Sequence, residues 1–222
     1  MENTSDDGSS LYSHLSSLDK SYKLVVNPTG TDCSSDEDDS ASLGSGAFGE
    51  VFLMRGKFDG KLYAVKWIRV KKAEQHNINK RQMLQEGGNM QRLTHQNIIR
   101  MWNQCQRKNG KFYCLVMDYA DQGTLDAYIT KHGRVPTAQI RTWLSQLCAG
   151  LHHMHRECRM LHRDLKPQNI LLSTHAVSGE LIVRITDLGM ASTYESKLSQ
   201  SKGVGTHDYM SPEKVRDKRA AF

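Results

Sequence analysis

The segment 44–52, GSGAFGEVF, is the first part of the chain whose residue types suggest chemistry. Its G-x-G-x-x-G spacing allows three readings: a dinucleotide site, a phosphate cradle for ATP, or a plain turn, because glycines let backbone N–H groups approach phosphates. A dinucleotide site needs a helix directly after the glycines. The residues 50–54, EVFLM, alternate as a strand does, which excludes the dinucleotide site and leaves the other two readings open.

Further motifs follow in order, each with charged or polar side chains able to hold phosphates or a divalent cation. They are Tyr63-Ala64-Val65-Lys66, Glu86, His162-Arg163-Asp164-Leu165-Lys166-Pro167-Gln168-Asn169, Asp187-Leu188-Gly189 and Ser211-Pro212-Glu213. In this company, a phosphate cradle is the better interpretation of the glycines than a plain turn.

This ordered set resembles the eukaryotic protein kinase family over residues 43–222. The resemblance implies a two-lobed α+β fold, with a β-rich N-lobe and hinge over 43–120 and a partial helical C-lobe over 121–222. Residues 1–42 then form an acidic, Ser-rich leader, mostly disordered. Lys166-Pro167 and Gly205-Thr206 resemble the serine/threonine type, and the wording of 168–172 and 209–213 is similar to NIMA-related kinases.

The resemblance implies a catalytic role for four charged residues of this chain. Lys66 would hold the α- and β-phosphates of ATP and form an ion pair with Glu86. Asp164 would accept the proton of the substrate hydroxyl, and Lys166 would steady the transferring phosphoryl group. The implied function is transfer of the ATP γ-phosphate to Ser/Thr hydroxyls of protein substrates.

The resemblance also implies the residues that contact ATP and Mg²⁺. Asn169 and Asp187 would ligate Mg²⁺, which prefers hard oxygen ligands. Glycine-loop residues, an apolar clamp around adenine, a gatekeeper and the hinge would contact the nucleotide. They are Gly44, Ser45, Gly46, Ala47, Phe48, Gly49, Val51, Ala64, Lys66, Met117, Asp118, Ala120 and Leu171.

Composition limits the class of protein. The five cysteines form no C-x-x-C pair and no apolar run reaches 18 residues, so we expect an intracellular protein of cytoplasm or nucleus, without a membrane span. Residues 1–40 hold nine acidic residues and two lysines, a net charge of −7. Because the whole chain carries +6, the remaining residues carry +13. A basic body suits a phosphate-rich partner, but no nucleic-acid reader is recognisable, so the expected partners are ATP and protein substrates.

Hydrophobic periodicity predicts the elements that position these residues. Strands are expected at 22–26, Val51–Met54, Leu62–Arg69, Ile98–Cys105 and Phe112–Tyr119, and a loose helical pattern covers 73–93. A long helix is expected from Thr137, just after Pro136. Its predicted apolar stripe consists of Ile140, Trp143, Leu144, Leu147, Cys148, Leu151 and Met154.

Two features keep a second interpretation open. Gly87 and Gly88 each cost a helix interior about 1 kcal/mol relative to alanine, so the Lys66–Glu86 pair is expected to be intermittent. The chain ends nine residues after Glu213, so we expect a C-terminally truncated lobe with exposed apolar helix faces. The alternative function is therefore a catalytically impaired fragment or pseudokinase that binds nucleotide or a partner.

Ser201 is the best candidate for an activation-loop phosphosite.

Overall fold

The computed structural model describes residues 22–24, 42–46, 49–70, 88, 90–107, 111–187, 192–193, 206–210 and 212. The chain divides into two compact units. Among the described residues, 22–70 and 102–119 belong to the first, which we call the sheet unit. Residues 88–101 and 120–212 belong to the second, the helical unit.

One antiparallel sheet forms the sheet unit. Its strands are β1 (Tyr22–Leu24), β2 (Ser42–Gly46), β3 (Gly49–Gly56), β4 (Leu62–Arg69), β5 (Met101–Arg107) and β6 (Phe112–Asp118). The order is β1-β3-β4-β6-β5, and β2 also pairs with β3. The predicted hairpin around the turn at 58–60 is confirmed, because β3 pairs with β4 from Gly49↔Ile68 to Arg55↔Leu62.

Side chains along each strand point alternately to the two faces of the sheet. A cluster of buried residues covers one face and takes its members from β3, β4 and β6. They are Phe52, Met54, Tyr63, Val65, Trp67, Phe112, Cys114 and Val116. The residues between them along each strand therefore point to the opposite face.

The predicted strands differ from the structure in two respects. The first strand is described over Tyr22–Leu24, within the segment expected to be a mostly disordered leader, and residues 25 and 26 lie outside the described part of the chain. The strand expected from Ile98 begins at Met101. Ile98 instead forms a parallel bridge with Ile185 in the helical unit, which explains why this apolar residue lies outside the hairpin.

Two α-helices of the helical unit have both ends within the described residues, α1 (Leu125–His132) and α2 (Thr137–His152), and residues 88, 90 and 91 are also helical. Thr124 caps α1, since its hydroxyl accepts a hydrogen bond of 3.0 Å from the Ala127 amide. Gly133 ends the helix at φ 71°, a conformation that favours glycine. None of the described helices is both long and apolar enough to cross a membrane.

The predicted long helix begins at Thr137 as expected, but its apolar stripe is only partly buried. Trp143, Leu147 and Met154 are buried. Ile140 is 42% exposed, Leu144 is 55% exposed and Cys148 is exposed. The periodicity identified a helical face that is wider than the surface packed against it.

The segment after α2 leads to the candidate catalytic residues through short elements. These are a π-helix (His153–Glu157), β7 (Met160–Leu161), a 3-10 helix (Pro167–Asn169), β8 (Ile170–Thr174), β9 (Leu181–Ile185), β10 (Ser192–Thr193) and a 3-10 helix (His207–Tyr209). β8 pairs with β9, and β7 with β10.

Buried Asn97, in the segment before β5, is hydrogen-bonded to β9. Its Nδ2 donates to the Val183 carbonyl at 2.9 Å, and its own carbonyl accepts from the Ile185 amide at 2.9 Å. A Cβ on Gly150 of α2 would lie 3.0 Å from the same Asn97 carbonyl, so α2 packs closely here because position 150 lacks a side chain.

Candidate active site

Asp164 lies at the centre of a hydrogen-bonded group in the helical unit. Its Oδ1 accepts from the backbone N–H of Thr206 at 2.9 Å and from the Thr206 hydroxyl at 2.8 Å. Its Oδ2 accepts from Asn169 Nδ2 at 3.0 Å and lies 3.1 Å from Lys166 Nζ. A carboxylate has about four lone-pair sites, and all four are engaged.

These contacts keep Asp164 ionised. Burial acts to raise the pKa of its carboxyl, but hydrogen bonds from Thr206 and Lys166 outweigh burial, and the pKa is lowered. Lys166 Nζ also donates to the Thr206 hydroxyl at 2.6 Å, so the three side chains form a closed triangle. A residue 42 positions further along the chain thus helps to fix the carboxylate.

Asn169 holds the catalytic loop in shape. Its Nδ2 donates to the Asp164 carbonyl at 2.8 Å as well as to the carboxylate, and the residue is buried. Both bonds use the amide nitrogen, so they do not occupy the amide oxygen, which is a hard ligand atom. This suits the predicted role of Asn169 as a ligand of a divalent cation.

His162 connects the catalytic loop to the strand end that carries Asp187. Its Nε2 donates to the Thr186 carbonyl at 2.8 Å, and its Nδ1 accepts from the Asp164 amide at 3.3 Å. Burial lowers the pKa of His162 more than the nearby carboxylates raise it, which favours the neutral ring that both bonds require. His162 was recognised within its motif but was not predicted as a site residue.

The backbone at two charged residues of this region has an uncommon conformation. Arg163 has φ 69° and Asp187 has φ 56°, both in the left-handed region that non-glycine residues rarely adopt. The Thr186 amide donates to the Asn169 carbonyl at 3.0 Å, which brings the segment ending at Asp187 to the predicted cation ligand Asn169. Strained residues of this kind are concentrated at functional sites.

In the sheet unit, strand register brings together four predicted nucleotide-binding residues. Val51 lies opposite Lys66, and Ala64 lies opposite Met117. Ala64 and Lys66 are two residues apart on β4, so all four side chains point to the same face. This is the face opposite the buried cluster, and all four residues are half-buried.

The predicted glycine loop is a hairpin between β2 and β3. Gly44 pairs with Val51, Ser45 with Glu50, and Gly46 with Gly49. Gly44 has φ 153°, and a Cβ at Gly49 would lie 1.6 Å from the Trp67 carbonyl oxygen of β4. Glycine is therefore required at position 49 by the close approach of two strands.

The end of β6 and the segment after it carry two carboxylates, Asp118 and Asp121, that are each held by a residue remote in sequence. Trp102 Nε1 donates to Asp118 Oδ1 at 2.6 Å. Asp121 accepts from the Thr174 amide at 2.8 Å and from its hydroxyl at 2.6 Å. Asp118 was predicted from the sequence as a site residue. Trp102, Asp121 and Thr174 were not, because no short-range sequence pattern links these residues to their hydrogen-bond partners.

Residues 122–124 continue this segment along β8, where the predicted adenine-clamp residue Leu171 lies. Gln122 and Gly123 exchange backbone hydrogen bonds with Leu172, at 3.1 and 2.8 Å. Thr124 bridges to Leu171, which is half-buried. Ala120, the predicted hinge residue just before them, is buried.

Several predicted residues lie outside the described part of the chain. They are Ala47, Phe48, Glu86, Gly87, Leu188, Gly189, Ser201 and Glu213. The Lys66–Glu86 pair therefore stays a prediction.

Comparison with known proteins identifies the family. The model of the protein kinase domain matches residues 38–221. Serine/threonine-protein kinase ATG1c of Arabidopsis thaliana is 35% identical over 174 residues, which is 77% of this chain and 22% of that protein. cAMP-dependent protein kinase type 3 of Saccharomyces cerevisiae is 33% identical over 181 residues, 80% of this chain and 42% of that protein.

A third relative is human serine/threonine-protein kinase Nek5, 31% identical over 182 residues, 80% of this chain and 24% of that protein. Its identity is no higher than that of the other two, so the NIMA-related subfamily stays a prediction. The chain spans between 22% and 42% of the length of these relatives. The motifs, the sheet register and the matched family together show that this chain belongs to the protein kinase domain family.

Proposed function

We propose that this chain transfers the γ-phosphate of ATP to serine or threonine hydroxyls of protein substrates. The observation that carries the proposal is the ionised Asp164, held by Lys166, Thr206 and Asn169. A fixed carboxylate can orient a substrate hydroxyl and accept its proton, which is the role of a general base. The relatives named above as serine/threonine kinases support the same class of acceptor.

Lys166 has a separate role in the proposed reaction. Its ammonium group is 3.1 Å from Asp164 Oδ2 and is only partly buried. A cation at this position stabilises negative charge that develops on phosphoryl oxygens during transfer. Since all four lone-pair sites of Asp164 are engaged, an arriving hydroxyl would replace one donor, and Thr206 is the donor that can move without loss of a charge partner.

Asn169 and Asp187 fit a magnesium ion. They offer an amide oxygen and a carboxylate, and Mg²⁺ is typically held by one or two carboxylates together with substrate phosphates. In the described ranges, no group of three or more His, Cys, Asp or Glu side chains could hold a metal by itself. When bound, the ion would neutralise charge on the ATP phosphates.

The sheet unit supplies the proposed nucleotide contacts. Lys66 would hold the phosphates, Val51 and Ala64 would cover the adenine ring, and Met117 would limit the depth of the adenine site. Their common face, half-buried and opposite the core cluster, supports this assignment. Leu171 on β8 and the backbone of 118–120 complete the proposed set.

We place the protein in a reducing compartment, the cytoplasm or the nucleus. The cysteines of the described chain, at 105, 114, 148 and 158, are all free thiols. Free cysteines are typical of intracellular proteins.

The experiment is transfer of labelled phosphate from ATP·Mg²⁺ to a mixture of protein substrates. Asp164→Asn should lower transfer by about a hundredfold or more, the usual contribution of a general base. Glu180→Gln is the matched control, because it makes the same chemical change at an exposed turn of the helical unit and should leave transfer unchanged. Equal transfer by wild type and Asp164→Asn would refute the catalytic assignment.

A thermal-shift measurement with ATP·Mg²⁺ distinguishes the proposed kinase activity from the alternative function, nucleotide binding without transfer. A ligand that binds the folded state raises the melting temperature. A shift without any transfer by the wild type would favour a nucleotide-binding pseudokinase.

A further inference from the structure

The hydrogen bond between Trp102 and Asp118 lies where the chain passes between the two units. The division falls between residues 101 and 102, and again between 119 and 120. Trp102 and Asp118 lie on the sheet-unit side of these two crossings, 16 residues apart, and are joined by the indole N–H at 2.6 Å. The bond therefore joins the start of β5 to the end of β6.

The indole is held by its ring as well as by its N–H. Tyr63 packs edge-on against Trp102, with ring centroids 6.4 Å apart and an interplanar angle of 85°. The Tyr63 hydroxyl donates to Asp59 Oδ2 at 2.5 Å, and this bond is the main cause that raises the pKa of Tyr63 to about 12. The phenol thus stays protonated and fixed at physiological pH.

Register places Asp118 against the same tyrosine. Tyr63↔Asp118 is the last pair of the β4–β6 ladder, so regular strand pairing ends at this residue. Further along the chain, the Gln122 amide donates to the Leu172 carbonyl of β8. The Asp118 carboxylate is therefore held at the point where the backbone of 118–120 leaves the ladder.

We infer that Trp102 is a positioning residue for adenine: by holding the Asp118 carboxylate, it fixes the backbone of 118–120 for hydrogen bonding to the base. This inference rests on the proposed function, which assigns that backbone to the adenine edge. A merely structural bond would stabilise the sheet without distinguishing adenine from phosphates. The difference can be measured.

The experiment compares the affinities of three probes: ATP·Mg²⁺, adenosine and inorganic triphosphate. Trp102→Phe keeps an aromatic ring against Tyr63 and removes the N–H donor. This variant should lower the affinities for adenosine and for ATP·Mg²⁺ by the same factor, about fivefold, and leave the affinity for triphosphate unchanged. The KM for ATP should rise by that factor while kcat stays within about twofold.

Two further variants make the test specific. Asp118→Ala removes the acceptor and keeps the backbone, so it should match Trp102→Phe, and the double variant should be no weaker than either. Tyr113→Phe is the matched control, because the Tyr113 hydroxyl bonds to Gln104 across the same two strands, β5 and β6. It should leave all three affinities unchanged.

The outcomes are distinct. Unchanged adenosine affinity in Trp102→Phe, or an equal loss for triphosphate, overturns the inference and leaves the proposed function in place. A wild type that binds neither adenosine nor ATP overturns the proposed function and the inference with it.

Discussion

The loop that carries Asp164 in the helical unit and the proposed nucleotide face of the sheet unit are positioned by different forces. Asp164 is held by three polar side chains, and one of them is remote in sequence. Val51 and Lys66 are held by backbone pairing between β3 and β4. The loop therefore depends on individual side chains, whereas the face depends on the register of a whole sheet.

This difference separates effects on activity from effects on stability. Removal of one side chain in the loop leaves its partners without a donor or acceptor, because the group is closed. Removal of a side chain from the sheet face leaves the register intact. Activity should thus be most sensitive in the loop, and folding should be most sensitive where two strands of the sheet are in close contact.

The largest effect is expected for Asn169→Ala. The variant loses both bonds to Asp164 and the predicted ligand for Mg²⁺, so transfer should fall about a hundredfold or more. Phosphate transfer measured across a range of Mg²⁺ concentrations tests this. Lys66→Met is the comparison in the sheet: it should also abolish transfer, but its melting temperature should stay close to wild type. Equal loss of stability in both variants would contradict the distinction.

Gly49→Ala should reverse the pattern in the sheet unit. The new Cβ would lie 1.6 Å from the Trp67 carbonyl oxygen, so β3 or β4 must move, at a cost of about 1–3 kcal/mol or more. Chemical denaturation measures this loss. Gly88→Ala is the control, because a Cβ there meets nothing within 4 Å and the residue is helical, so stability should rise by up to about 1 kcal/mol.

The sheet face could be predicted from two sources together. The resemblance named Val51, Ala64 and Lys66, and the turn at 58–60 predicted the pairing of β3 with β4 that brings them together. Periodicity identified the apolar stripe of α2, but Leu144 within it is 55% exposed. A period identifies a face, but burial also depends on the elements that cover it.

The polar network around Asp164 could be predicted only in part. The motif placed Asp164, Lys166 and Asn169 near one another, and the resemblance placed Thr206 beside them. No sequence pattern connects Trp102 to Asp118, because they belong to different strands and meet only when β5 pairs with β6. Contacts of this kind depend on tertiary structure.

Thr206→Val tests how the loop tunes its base. The Thr206 hydroxyl is one of the groups that lower the pKa of Asp164, so its removal should move that pKa up towards the usual range. The acid limb of the kcat/KM profile should then shift to higher pH. At neutral pH Asp164 is ionised in both proteins, so the expected loss there, about tenfold, comes from poorer positioning of the carboxylate. Thr206→Ser retains the hydroxyl and should behave as wild type. An unchanged acid limb would argue against the assigned bond.

The smallest effect concerns His95, which extends the comparison to pH. Its Nδ1 accepts from the Asn97 amide at 3.1 Å, and its ring stacks on His153 at 5.3 Å. Burial, followed by the charge of His153, lowers the pKa of His95, while Glu157 opposes the shift. The described residues of the sheet unit contain no histidine, so the histidine titrations considered among the described residues all concern the helical unit.

A lowered pKa in the folded state fixes the sign of the effect. Well above pH 6.5, the ordinary pKa of histidine, the ring is neutral in both the folded and the unfolded state, and the titration of His95 does not reduce the free energy of unfolding. As the pH falls further, the unfolded chain binds a proton first, so stability decreases until the folded pKa is reached. His95→Asn keeps an acceptor for the Asn97 amide but removes the titration. In urea denaturation the wild type should therefore lose more stability than His95→Asn between pH 7.5 and 5.5, although buried His162 contributes equally to both. Identical losses would show that His95 does not link the helical unit to pH.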